Sequence, residues 1–202
     1  GPQLFVETHH TKGSLLPDSR HRLVKQALAA DAEYMLWLDS DMRFPPDLLY
    51  RLLSWNTDIV GCNYPQKRVP SHPTMFLNKE MLAKVFPEEE VHMPDDKMFS
   101  FISRPGQKGL IECLFLGFGA LLMKTECFKK VPPPWFDVTW KADAQAYEGE
   151  DVCCFRRMRE AGYKVYCDME TSTYVSHIGD FEYVHEYTEG YYKPIGEKTN
   201  GS

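Results

Sequence analysis

The sequence predicts an α/β domain. Short apolar, β-rich runs alternate with amphipathic stretches of helical period, the chain is long enough for one core, and one of the apolar runs stops at a pair of aspartates. The expected strands are LFVET (4–8), YMLWLD (34–39), DIVGCN (58–63) and KVYCD (164–168), each rich in β-branched or aromatic residues. Helices are expected over 18–30, where Leu23, Val24, Ala27 and Leu28 share a face, over 46–54, and over 150–161. The second opens on Pro45 and Pro46 with Asp47 in its first turn, where proline suits the geometry and an acid complements the helix dipole.

With 202 residues, 43% of them hydrophobic, the chain suits one core better than two. A domain over 1–190 and a polar tail over 191–202 are expected. The net charge of -6 speaks against a general nucleic-acid or membrane-surface binder, although it leaves room for a local basic groove. The longest apolar run, from Cys113 to Met123, falls short of the roughly 18 residues of a membrane span, so none is expected. No signal-peptide pattern is visible, and Gly1-Pro2 resembles a scar of tag removal. The six cysteines lie mostly in apolar segments without a CxxC pair, which points to buried free thiols and a cytoplasmic setting, the host cytoplasm if the source is viral. Residues 64–109, broken by Pro, Lys, Arg and the acids at 88–90 and 95–96, read as excursions over the surface.

Asp39 and Asp41 close the run YMLWLDSD. At the C-terminal end of a strand in an open sheet, side chains enter the crevice where such folds bind ligands. Period-two spacing puts both carboxylates on one side, provided the strand persists to Asp41. Two acids in one cleft need a cation, hydrogen-bond donors or a raised pKa. A hard divalent cation, Mg2+ or Mn2+, shared with substrate phosphates is an economical solution; the plain alternative is a strand end and a turn cap.

Four segments, in order, resemble glycosyltransferases of the GT-A fold. They are YMLWLDSDM with its DxD, LIECLFLGFGALLMKTECFKKV (110–131) as the Gly-containing strand and following helix, GEDVCCFRRMREAGYKVYCDM (149–169) as the "ED" helix and next strand, and TYVSHIG (173–179). The likeness runs from about residue 13 to residue 179 and is strongest to small family-two-like enzymes of phages, large viruses and bacteria. It implies a mixed central sheet flanked by helices. Two readings of the start stay open: either the family's first strand lies upstream and LFVETHHTKG is its second, or the chain is a minimal version.

The resemblance also implies roles. Asp41 matches the direct metal ligand, Asp39 the acid that reaches the ribose or a metal-bound water, and His177 a further metal contact, with Mn2+ or Mg2+ as cofactor. Asp151 matches the base that deprotonates an acceptor hydroxyl, with Glu150 orienting its neighbours. Acid charges at a helix start would also explain this pair. Arg20 matches an arginine near the nucleotide, with His21 where relatives often have Asn; Lys67, as a compact positive charge, is a candidate for the diphosphate or sugar, and the plain alternative for both is a surface charge. Gly117 and Gly119 would let backbone approach the donor sugar or acceptor, or form a bulge. Trp135, Phe136 and Trp140 offer a sugar-stacking wall or core packing. The implied activity is metal-dependent transfer, of hexosyltransferase type, from a nucleoside-diphosphate sugar, UDP-sugars favoured, to a hydroxyl of a glycan, protein, lipid or modified DNA. With Asp151 as base the course is inverting; with no base there, retaining. A sugar nucleotidyltransferase and a non-catalytic carbohydrate- or partner-binding domain are the alternatives.

Overall fold

A computed structural model describes residues 4–11, 13–86 and 98–187. The acidic clusters at 88–90 and 95–96 and the tail 191–202 lie outside the described residues. In chain order the elements are α1 (Leu16–Ala29), β1 (Tyr34–Leu38), β2 (Met42–Arg43), α2 (Leu48–Ser54), β3 (Ile59–Gly61), β4 (Phe76–Leu77), α3 (Lys79–Val85), β5 (Phe99–Ser100), β6 (Leu110–Cys113) and β7 (Ala120–Lys124). There follow α4 (Glu126–Lys130), β8 (Thr139–Lys141), β9 (Ala146–Glu148), α5 (Glu150–Glu160), β10 (Val165–Asp168), α6 (Met169–Ser172), β11 (Ser176–Ile178) and β12 (Glu182–Tyr183).

The central sheet has the order β1-β7-β3-β10-β6 and is mixed: β10 runs parallel to β3, whereas β7 is antiparallel to both β1 and β3 and β6 is antiparallel to β10. Both faces are covered, so strand residues alternate between two apolar clusters. Trp37, Ile59, Leu121 and Met123 face the larger cluster with Val24 of α1 and Cys154, Phe155 and Met158 of α5. Val60, Ala120 and Leu122 face the smaller one with Leu48 and Leu52 of α2. The result is a mixed α/β layered domain whose sheet is flanked by helices. A second, small sheet, β12-β11-β2, joins the C-terminal part of the described chain to the residues just after β1.

Helix α1 begins two residues before the expected start because Pro17 fits its first turn, and α2 begins after Pro45, Pro46 and Asp47, with Arg51 Nε donating to Asp47 Oδ1 at 2.8 Å. The expected strand at 4–8 does not form: residues 4–11 have no regular structure and Phe5 is 86% exposed, since no ladder receives their N–H and C=O groups. The segment 110–131 is two strands, β6 and β7, from different places in the sheet, and the helix that follows β7 is short.

Residues 64–109 are also more than a surface excursion. Met75, Leu77, Met81, Leu82 and Phe101 are core residues. They are tied in by Asn63, fully buried, whose amide donates to Phe101 O and Ser103 Oγ and accepts from the N–H groups of Thr74 and Met75. A single side chain thereby ties several loop groups together, and it supplies the buried N–H of Met75 with its acceptor. The six cysteines are buried and free, as expected. No helix among the described residues is long and apolar enough to cross a membrane.

Candidate functional site

The site begins where β1 ends. The strand does not persist to Asp41: it stops at Leu38, and Met42 N–H donates to Asp39 O at 3.3 Å, closing a turn over the aspartates. The two carboxylates are therefore brought near each other by this turn, and strand alternation plays no part. Asp39 N–H reaches Gly119 O at 3.4 Å, so the first aspartate lies beside the start of β7. Immediately after the turn, β2 pairs with β11 so that His177 lies opposite Met42, and Ile178 N–H donates to Asp41 O at 2.7 Å. This ladder brings His177 to Asp41, with His177 Nε2 3.5 Å from Asp41 Oδ1. The other ring nitrogen, Nδ1, donates to Pro65 O at 3.2 Å, which leaves Nε2 as the nitrogen able to accept a ligand.

Arg20 forms the floor. It is 6% exposed, donates to Glu150 Oε1 at 2.9 Å, and lies 4.5 Å above the Phe118 ring. Burial raises the Asp39 carboxyl above its ordinary value, with Arg20 and His177 working against it and Asp41 and Glu150 adding to it. Burial likewise raises Asp151, opposed by the N–H of Val152, which donates to Asp151 Oδ1 at 2.7 Å, and by Arg20. Burial also pushes on Asp41, yet the hydrogen bond from Lys67 and the neighbouring His177 outweigh it and hold that carboxyl below the usual range. The two aspartates of the pair are thus driven in opposite directions, as a cleft does when only one member has a cationic partner in hand.

The donor set suits a small divalent cation. Cis donors around an octahedral ion with ~2.1 Å bonds stand about 3 Å apart, close to the observed separation of His177 Nε2 and Asp41 Oδ1. An imidazole nitrogen beside a carboxylate oxygen is a mixed set that Mn2+ accepts. Lys67 Nζ holds the second oxygen, Asp41 Oδ2, in the place a cation would take. Among the described residues, no group of three or more His, Cys, Asp or Glu side chains is placed to hold a metal ion. Asp41 and His177 are the pair brought together, with Asp39 across the turn.

Tyr64 has no motif to mark it and is absent from the sequence-derived candidates. Its hydroxyl accepts from Gly119 N–H at 2.8 Å, its ring meets His177 edge-on at 5.3 Å, and burial first, then the charge of Asp39, pushes its pKa well up. A Cβ on Gly117 would stand 2.0 Å from the Tyr64 hydroxyl oxygen, and one on Gly119 2.8 Å from it and 2.9 Å from Met42 Sδ. The close approach these glycines permit is that of Tyr64. Trp135 and Phe136 are core residues, and His21 is engaged locally, donating to Pro17 O and accepting from Trp135 N–H. Trp140 is 52% exposed and pairs edge-on with Tyr147, 70% exposed, on the β8–β9 hairpin that leads into α5.

No family model and no curated protein matches the sequence. Among solved structures, A197 from STIV aligns with 84% of this chain and 70% of its own, at a TM-score of 0.52 and 19% identity. That likeness is one of fold.

Proposed function

We propose that the chain is a GT-A-type glycosyltransferase that uses a divalent metal to move a sugar from a nucleoside diphosphate, UDP favoured, to an acceptor hydroxyl. The observation that carries this reading is the gathering of Arg20, the Asp39/Asp41 turn, Glu150 and Asp151, and His177 at one end of the central sheet. They come from four separate stretches of chain, and two of the carboxyls are raised by burial. Groups with perturbed pKa values in one cleft are the usual mark of a reactive site.

Asp41 and His177 would hold the metal, with Asp39 alongside; when bound, it would supply Lewis-acid stabilisation of the leaving diphosphate. Asp151 takes the proton of the acceptor hydroxyl. Its raised pKa makes it a stronger base than an ordinary aspartate, and its neighbour Glu150 is already committed to Arg20. The acceptor oxygen then bonds to the anomeric carbon from the face opposite the departing diphosphate, the carbon–oxygen bond to the phosphate breaks, and configuration inverts. Arg20 keeps Glu150 in place and opposes the rise of Asp39.

The test is a donor screen with Mn2+ against UDP-, GDP- and dTDP-sugars, reading donor hydrolysis and transfer. Unchanged Mn2+-dependent nucleotide binding in Asp41→Asn would sink the metal assignment, and full transfer in Asp151→Asn would remove the base. A second reading, a non-catalytic carbohydrate-binding domain, draws on the exposed Trp140–Tyr147 pair; binding of sugars with no donor turnover under any of these conditions would favour it.

A further inference from the structure

We infer that Lys67 is a built-in substitute for the cation at Asp41, so that the site takes up a divalent metal and a nucleoside diphosphate together in preference to the metal alone. The inference rests on the proposed metal site and adds the order and coupling of its filling. The Lys67 ammonium bonds one oxygen of Asp41 while the other faces His177 Nε2 at 3.5 Å. An ion bridging Asp41 and His177 would meet this ammonium at the same carboxylate, and like charges at such range repel strongly.

The backbone beneath Lys67 is tied down by neighbours of its own, whereas its side chain is held at the tip, by Asp41. Pro65 pairs with Pro73, Gln66 N–H donates to His72 O at 2.8 Å, and Ser71 Oγ donates to Gln66 O at 2.7 Å. The same Pro65 carbonyl accepts from His177 Nδ1, so one loop orients the imidazole and carries the competing cation. Beyond its fixed backbone, the exposed lysine has a flexible four-carbon stem, which lies near Gly179 and can swing without moving the chain.

Charge balance then decides what releases it. Arg20 is matched by Glu150 and Lys67 by Asp41. A metal ion arriving alone displaces an ammonium that has no second partner among the described residues, whereas a metal arriving with a diphosphate brings the anion to which the ammonium can turn. Nucleotide and metal must then raise each other's affinity by the same factor.

The experiment measures Mn2+ binding by the loss of the free-ion electron paramagnetic resonance signal, with and without saturating UDP and in each case relative to the same UDP–Mn2+ mixture lacking protein, in wild type, Lys67→Met, Lys67→Arg and Asp41→Asn. Wild type should bind Mn2+ roughly 5- to 150-fold tighter with UDP, the usual span of such couplings. Lys67→Met should bind Mn2+ alone roughly fivefold or more tighter than wild type and show a UDP effect smaller by the same factor, and Lys67→Arg should keep the wild-type effect. Mn2+ affinity of Lys67→Met that is equal to or weaker than wild type without UDP overturns the inference while leaving the metal site intact. Unchanged Mn2+ binding in Asp41→Asn overturns the metal site itself, and no Mn2+ binding by wild type in either condition overturns both.

Discussion

Replacing Arg20 with methionine isolates the electrostatic floor of the site. The guanidinium and the Glu150 carboxylate are both largely buried and bonded at 2.9 Å, so the variant leaves Glu150 without its partner and Asp39 and Asp151 without a charge that lowers them. Breaking a buried pair from one side costs ~3–5 kcal/mol, because the remaining charge stays desolvated. The guanidinium 4.5 Å over Phe118 contributes a further ~0.5–2 kcal/mol. For a chain of this length each kcal/mol moves the melting temperature by about 2–4 °C, so the pair alone corresponds to a fall of about 6–20 °C. The pH dependence follows from linkage. Without Arg20 the already raised carboxyls of Asp39 and Asp151 rise further. The deficit is therefore full above those folded-state values and narrows as pH falls through them toward the ordinary 3.8. Thermal melts of wild type, Arg20→Met, Glu150→Gln and the double variant in a pH series from about 7 down to the ordinary 3.8 measure both effects. The double variant should be more stable than Arg20→Met, since it removes the orphaned charge. A fall below about 2 °C for Arg20→Met, outside the range set by a buried pair, or a double variant as unstable as the sum of the singles, would refute the reasoning.

Asp39→Asn should raise the melting temperature of the metal-free protein. A carboxyl raised by burial costs stability above its folded pKa and ceases to do so as pH falls toward 3.8, so the gain should be present at pH 7 and vanish in acid. An equal gain at both ends would contradict the cause assigned. Gly117→Ala puts a methyl 2.0 Å from the Tyr64 hydroxyl oxygen and 2.6 Å from its ring, an overpacking that should cost ~1–3 kcal/mol in denaturant unfolding. Asn63→Leu leaves the N–H of Met75 buried without its acceptor and should cost ~1–3 kcal/mol for the group orphaned, whereas Thr74 N–H keeps Tyr64 O at 3.1 Å. Hydrogen exchange over 64–77 should rise before the rest of the domain responds.

The parts of the fold that could be read from sequence are those with a clear local period. Strand β1 and helices α1, α2 and α5 lie within two residues or so of the expected places because their apolar spacing and their starting residues, Pro17, Pro46 and the acids at 150–151, agree with each other. LFVET carried the same β-rich composition without a ladder to join, and composition alone cannot supply the partner strand. The core residues of 64–109 are spaced without period, and what binds them is one amide at Asn63, a hub that no sequence window displays. The candidate site divides along the same line. Asp39, Asp41 and the Glu150-Asp151 pair announce themselves as charges at element ends. The Asp41–His177 proximity depends on a ladder register, and Tyr64 is recognisable only from the space two glycines leave for it.

The pairing of β2 with β11 also bears on how such a protein can change its length. Asp41 and His177 are held by two register pairs and one backbone bond, none of which depends on how much chain runs between them. Extra residues inserted at an exposed turn such as Arg104–Gln107 would leave that distance as it is, whereas a single residue added between Asp41 and Met42 would carry Asp41 out of register with the Met42–His177 pair and break its bond from Ile178 N–H. Growth at exposed turns thus spares the Asp41–His177 contact, whereas growth across this very short ladder does not.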